Sequence, residues 1–188
     1  MPRLLLVRHA EPEIDIAVPA SVWPLTSRGV SSAEKLASVT ADFGPIRIFT
    51  SPEVKAVETG RIMADALGIP ATADERFAEH GAGPDEFIPD YREFRASVRR
   101  FFTEPDEVVF RGESCRAAGE RFSEGVAAVT GDNDDVVAVV THGRIMATWL
   151  ARLSGGTAWD IWTGLRMPDL VDVDLDAQAY RTVQFTLF

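Results

Sequence analysis

Two stretches of this chain, Arg3 to Val7 and Val136 to Val140, are apolar with no alternation. A strand wetted on one face alternates apolar and polar residues, so a run that never alternates is buried on both faces. Such strands need helices above and below the sheet, and helical segments do separate them here. Thr26 is placed to cap a helix from about Ser27 to Val39, with Ala33, Leu36 and Ala37 turned inward. Ile46 to Thr50 reads as a second short strand. Ser51-Pro52 reads as the cap and first position of the next helix, which Gly68-Ile69-Pro70 stops. Ala71 to Ala73 suits a brief third strand. A helix over Glu113 to Val129, an acidic turn at Asp132 to Asp135, and a helix from about Arg144 to Leu153 ending at Gly155-Gly156 follow.

The tail alternates Val171, Val173 and Leu175 with Asp172, Asp174 and Asp176, then resumes from Tyr180 to Leu187. That is the pattern of an antiparallel hairpin at a sheet edge, its aspartates in solvent. The fold class is therefore α/β: a three-layer α/β/α sandwich with a mostly parallel central sheet and an antiparallel edge strand. Its 188 residues suit one domain, 1–188. The region of about 81–111 reads as a small helical cap inserted into it. There Phe87, Tyr91, Phe94, Val98 and Phe101 share one helical face, expected to pack the cap. Arg92, Arg95 and Arg99 form a neighbouring stripe, expected to be a solvated face, with a subsite for a distal anion as the alternative.

In such sheets ligands bind beyond the carboxyl ends of the strands. Two of the three histidines fall there, His9 after the first strand and His142 after the Val136–Val140 strand. Charge narrows the ligand: 29 acids against 19 bases give −10. That argues against nucleic acid and membrane surfaces as partners, since both need a cationic footprint. A single cysteine, Cys115, excludes an internal disulfide framework and a cysteine-rich zinc site. No apolar run approaches the roughly 20 residues of a membrane span, so the cytoplasm is the expected location.

Arg8-His9-Ala10-Glu11 after a buried strand resembles the R-H-G-E signature of the histidine phosphatase superfamily, the phosphoglycerate-mutase-like proteins. Leu25-Thr26-Ser27-Arg28-Gly29 is similar to that family's L-T-x-x-G, and Ser51-Pro52-Glu53-Val54-Lys55-Ala56-Val57-Glu58-Thr59 to its S-P-x-x-R-A-x-x-T. Gly112-Glu113-Ser114 is similar to its G-E-S, and Thr141-His142-Gly143 to its S-H-G. The resemblance implies a phosphomonoesterase that works without metal or cofactor on a phosphorylated small molecule or a phosphoprotein. It makes His9 the nucleophile that becomes phosphohistidine, and Glu79 the acid, then base. Arg8, Lys55, protonated His142 and the N–H groups after Gly143 would hold the phosphoryl group. Glu11, Glu75 and Glu113 compete with Glu79 for the acid's role, and His80 is expected against substrate, just behind it or at the surface. Two other readings are a phospho-ligand-binding protein with little turnover and a mutase-type phosphotransferase.

One residue departs from the family. Lys55 stands where the motif has arginine, in a chain with 17 Arg and only two Lys. Lysine keeps the charge but loses the planar two-pronged donor. Ala10, for glycine, adds one methyl near the phosphate loop.

Overall fold

A computed structural model describes residues 3–80, 88–110, 112–131 and 135–186. Six strands form one sheet: β1 (Arg3–Arg8), β2 (Arg47–Thr50), β3 (Ala71–Ala73), β4 (Val136–Thr141), β5 (Asp169–Asp174) and β6 (Ala179–Thr182). Their order is β3-β2-β4-β1-β5-β6, the first four parallel to one another and β5 antiparallel to both of its neighbours, β1 and β6. The helices are α1 (Ser27–Ala41), α2 (Val54–Leu67), α3 (Tyr91–Thr103), α4 (Cys115–Thr130), α5 (Gly143–Ser154) and α6 (Ala158–Gly164). None of those described is long and apolar enough to cross a membrane.

The non-alternating runs behave as their pattern demands. Leu4, Leu6, Val137 and Val139 face α4 and α5, packing with Phe122, Val126, Ile145 and Trp149. Leu5, Val7, Ala138 and Val140 face α1 and α2, packing with Leu36, Ala37, Ala56 and Met63. Successive side chains of one strand thus feed two cores, which makes three layers.

The structure corrects several details. Ser51 does not cap α2 and Pro52 is not its first residue; that helix starts at Val54 with Glu53 as N-cap, whose side chain makes no capping bond. The helical face expected in the cap belongs to α3, capped by Asp90, whose carboxylate accepts from the N–H groups of Arg92 and Glu93. Phe87 and most of the acidic turn, 132–134, lie outside the described residues. Helix α6 was not anticipated. Asp172 is not in solvent: it is 6% exposed and clamped by Arg3 Nε and Nη2, both at 2.6 Å, and Arg181 Nε at 2.8 Å. The edge strand is β6, one place further out than the aspartates.

Of the arginine stripe, Arg92 and Arg99 are exposed, as expected, and Arg95 is half-buried. The guanidinium carbons of Arg95 and Arg99 lie 4.8 and 5.5 Å from the Trp159 ring centre, stacking α3 on α6.

Candidate active site

β1 and β4 lie side by side and in parallel, so their carboxyl ends deliver His9 and His142 to one place. His9 N–H donates to Thr141 O at 2.9 Å, carrying the ladder one residue beyond the strand. The two imidazole centres end 5.1 Å apart, both rings buried. A cavity of about 530 Å³ opens over them. Arg8, His9, Glu53, Lys55, Glu79, His142, Gly143 and Arg144 line its floor, so every residue expected at the site is brought together there.

Short hydrogen bonds account for the motif residues around it. Thr59 Oγ1 accepts from Ala10 N–H at 3.0 Å and donates to Lys55 O at 2.7 Å, tying the loop after His9 to α2. Thr26 caps α1 by accepting from Gly29 N–H at 2.9 Å, and donates to Glu11 Oε2 at 3.0 Å. A Cβ on Gly29 would lie 2.3 Å from Glu11 O, so only glycine lets α1 approach this loop. Thr141 Oγ1 donates to Phe77 O at 2.7 Å, anchoring the short 3-10 turn Glu75–Phe77 just ahead of Glu79.

His9 Nδ1 lies 2.7 Å from Ala10 O. A carbonyl only accepts, so Nδ1 carries the proton and Nε2 keeps a free lone pair. Burial, reinforced by the charges of His142 and Lys55, pushes His9 well below the ordinary histidine range. It is a neutral imidazole at physiological pH, as a nucleophile must be.

His142 differs from expectation. Its Nε2 lies 2.7 Å from Ser51 Oγ and 3.2 Å from Glu53 Oε1. Burial lowers its pKa despite the opposing charges of Glu53 and Glu79, so it is not a ready-made cation. A phosphoryl dianion would supply the charge that protonates it.

Arg8 is half-buried, with Nη1 donating to Leu165 O at 3.0 Å and a buried Nε left without a partner. A Cβ on residue 143 would fall 3.1 Å from Arg8 Cζ, so Gly143 is what lets the guanidinium lie against the start of α5. Lys55 Nζ donates to Ala20 O at 2.7 Å and pairs closely with Glu53 Oε2.

Glu79 lies across the first turn of α5. Oε1 accepts from Ile145 N–H at 3.0 Å, His80 Nδ1 at 3.1 Å and His80 N–H at 3.2 Å. Oε2 accepts from Arg144 N–H at 3.2 Å and Arg144 Nε at 3.3 Å. Burial alone would raise its pKa, but Arg144, His80 and His142 together outweigh that and hold it well below the usual carboxylate range. Its expected elevation must therefore come from a phosphate dianion alongside. Of its competitors, Glu113 pairs with Arg121 and Glu75 is exposed, whereas Glu11 lines the cavity.

Glu53, Ser51, Arg144 and His80 make the site denser than the motifs alone suggested. Burial holds His80 at about 4, and its ring stacks 3.9 Å from Phe101, so it supports Glu79 from behind. Tyr91 and Phe94 of the aromatic stripe line the cavity, whereas Val98 and Phe101 are buried as cap packing. Phe110 and Trp162 complete an aromatic wall. Among the described residues no group of three or more His, Cys, Asp or Glu is arranged to hold a metal ion.

The model of the histidine phosphatase superfamily (branch 1) matches residues 4–184. An uncharacterized phosphatase, PhoE, of Bacillus subtilis (strain 168) is 26% identical over 160 residues, covering 83% of this chain and 79% of its own. Among solved structures, Bacillus stearothermophilus YhfR superposes with a TM-score of 0.77 at 22% identity, over 96% of this chain and 94% of that one. A mycobacterial glucosyl-3-phosphoglycerate phosphatase complexed with VO3 gives 0.71 at 19% identity, over 98% and 99%. At these identities the structural likeness speaks for the fold alone.

Proposed function

The chain belongs to the histidine phosphatase superfamily, and from that membership we propose that it is a phosphomonoesterase using His9 as nucleophile and no metal. The observation that carries this reading is the His9 Nδ1 bond to Ala10 O, which leaves Nε2 unprotonated beside Arg8, Lys55 and His142. Phosphoryl transfer spreads charge over three equatorial oxygens, which Arg8, Lys55 and a His142 protonated by the bound dianion would offset.

In the proposed cycle the Nε2 lone pair attacks phosphorus in line and the ester P–O bond breaks. The leaving alkoxide takes a proton from Glu79, and the phosphoryl group rests on His9. Glu79, now a carboxylate, takes a proton from a water that attacks phosphorus, forming a P–O bond as the N–P bond breaks. Inorganic phosphate leaves and His9 regains its lone pair. Arg8 Nε, buried and without a partner, is a donor waiting for a phosphoryl oxygen. Gly143 N–H, at the head of α5, adds a positive dipole end, the N–H groups of Arg144 and Ile145 being taken by Glu79.

A cavity of about 530 Å³ suits a phosphorylated small molecule better than a folded phosphoprotein. Hydrolysis of a generic aryl phosphate, with and without EDTA, tests the reading. EDTA-resistant hydrolysis that disappears in His9→Ala supports it. Phosphate or vanadate binding without turnover points instead to a phospho-ligand-binding protein, and transfer to a second alcohol in preference to water to a mutase.

A further inference from the structure

A phosphoryl group seated between His9 and His142 draws on Lys55 Nζ and His142 Nε2 as two of its donors. Both are already engaged by a carboxylate of the chain. Glu53 Oε2 pairs with Lys55 Nζ, while Oε1 lies 3.2 Å from His142 Nε2 and accepts Glu79 N–H at 3.1 Å. The Glu53 side chain is 13% exposed, so water screens it little. Arg8 Nε, on the same floor, is the contrasting case, a buried donor with no partner. The donors of the floor thus differ: Arg8 Nε has no partner, Arg144 Nε faces Glu79, and Lys55 Nζ and His142 Nε2 both face Glu53.

We propose that Glu53 is a resident competitor of the phosphoryl group: its carboxylate occupies a donor field made for an anion and so sets how loosely the site holds phosphate. The inference rests on the reading of this floor as a phosphoryl site. When phosphate enters, Glu53 must either turn away from Lys55 or take up a proton and donate it to a phosphoryl oxygen. Either route weakens binding relative to a floor without the carboxylate. Inorganic phosphate, the final product, is then released readily.

Lys55 on its own helix, His142 at the head of α5 and Glu79 beyond the 3-10 turn face this carboxyl, with Ser51 before it. Burial and Glu79 favour its neutral form, but His142 and Lys55 prevail and keep it ionised through the neutral range.

The test is binding of inorganic phosphate and of orthovanadate to the full chain, by titration calorimetry. It compares the wild type with Glu53→Gln, Glu53→Asp and Glu53→Leu, each checked for folding by its thermal midpoint. Glu53→Gln keeps the shape and drops the charge, and should bind about tenfold tighter or more at neutral pH. Glu53→Asp, with its charge drawn back by one methylene, should fall between. The advantage of Glu53→Gln should shrink from roughly pH 8 to roughly pH 5.5, as the bound wild type takes up its proton. A residue that merely holds Lys55 in place predicts weaker binding in Glu53→Gln and Glu53→Leu alike. That result, or unchanged affinity, overturns the competitor and leaves the phosphoryl site standing. No binding by any of the four proteins overturns both. Tighter binding in variants of a protein that hydrolyses no phosphate ester upholds the competitor and rejects the esterase.

Discussion

The floor and the aromatic wall of the cavity are built on different physical terms. The floor comes from the ends of β1, β2 and β4 and is fastened by directional bonds, such as His9 Nδ1 to Ala10 O and Thr59 Oγ1 to Ala10 N–H. The wall comes from α3, α6 and Phe110, where ring meets ring: Phe94 and Trp162 have centres 6.1 Å apart, and Arg144 lies 4.4 Å over Phe110. Hydrogen bonds weaken steeply with angle, whereas apolar contact is indifferent to it. The floor therefore fixes atoms for chemistry, and the wall fixes only a shape. Substrate choice can drift in such a protein while the reaction stays constant.

The largest effect that would sharpen this contrast is in Arg8→Ala. It removes the guanidinium beside His9 and should lower kcat/KM by about a thousandfold on every phosphate ester tried. A loss confined to some esters would mean that the floor also selects substrates. Next comes Lys55→Ala, expected to cost about a hundredfold, with Lys55→Arg retaining an appreciable share. Unchanged kinetics in Lys55→Ala would remove that residue from the floor.

Acid should act on the floor before the wall. His9, His80 and His142 are all buried with lowered pKa values, so the unfolded chain binds more protons than the folded one below roughly pH 6.5. Stability is then full above that pH and is lost as pH falls; His80, at about 4, accounts for about 3 kcal/mol of the loss. Glu53 and Glu79, also lowered, add to it in the same direction further down. Thermal midpoints measured from neutral pH downward check this, and a flat profile would contradict the neutral assignment. The smallest effect belongs to the wall. Trp162→Ala should change KM by less than about tenfold, in a substrate-dependent way, and leave kcat for an aryl phosphate nearly unaltered. An equal loss for all substrates would make the wall part of the machinery.

What could be read before the structure follows the same division. His9 and His142 were visible because a run buried on both faces must end at the ligand side of the sheet. Glu79 and Lys55 needed the family resemblance as well. Glu53 escaped notice because it fills a free position of the S-P-x-x-R-A motif. In a helix, residues two apart point away from each other. At an N-cap the backbone is still extended, φ −67° and ψ 137°, and the side chain turns inward toward Lys55. Helix α6 is seven residues long, too short for a periodic signal. The aspartates of β5 did follow their period of two. What local pattern could not carry was that Arg3 and Arg181, from the two neighbouring strands, would cover Asp172.

That Asp172 clamp also bears on the order of assembly. β1 pairs with β4 on one side and β5 on the other, and both leave the ribosome well over a hundred residues after it. The strand that ends at His9 is made early yet gains its neighbours late, so His9 waits on the second half of the chain for its geometry. A nascent or shortened chain lacking β5 would carry the whole Arg8-His9 motif without a working floor to hold it.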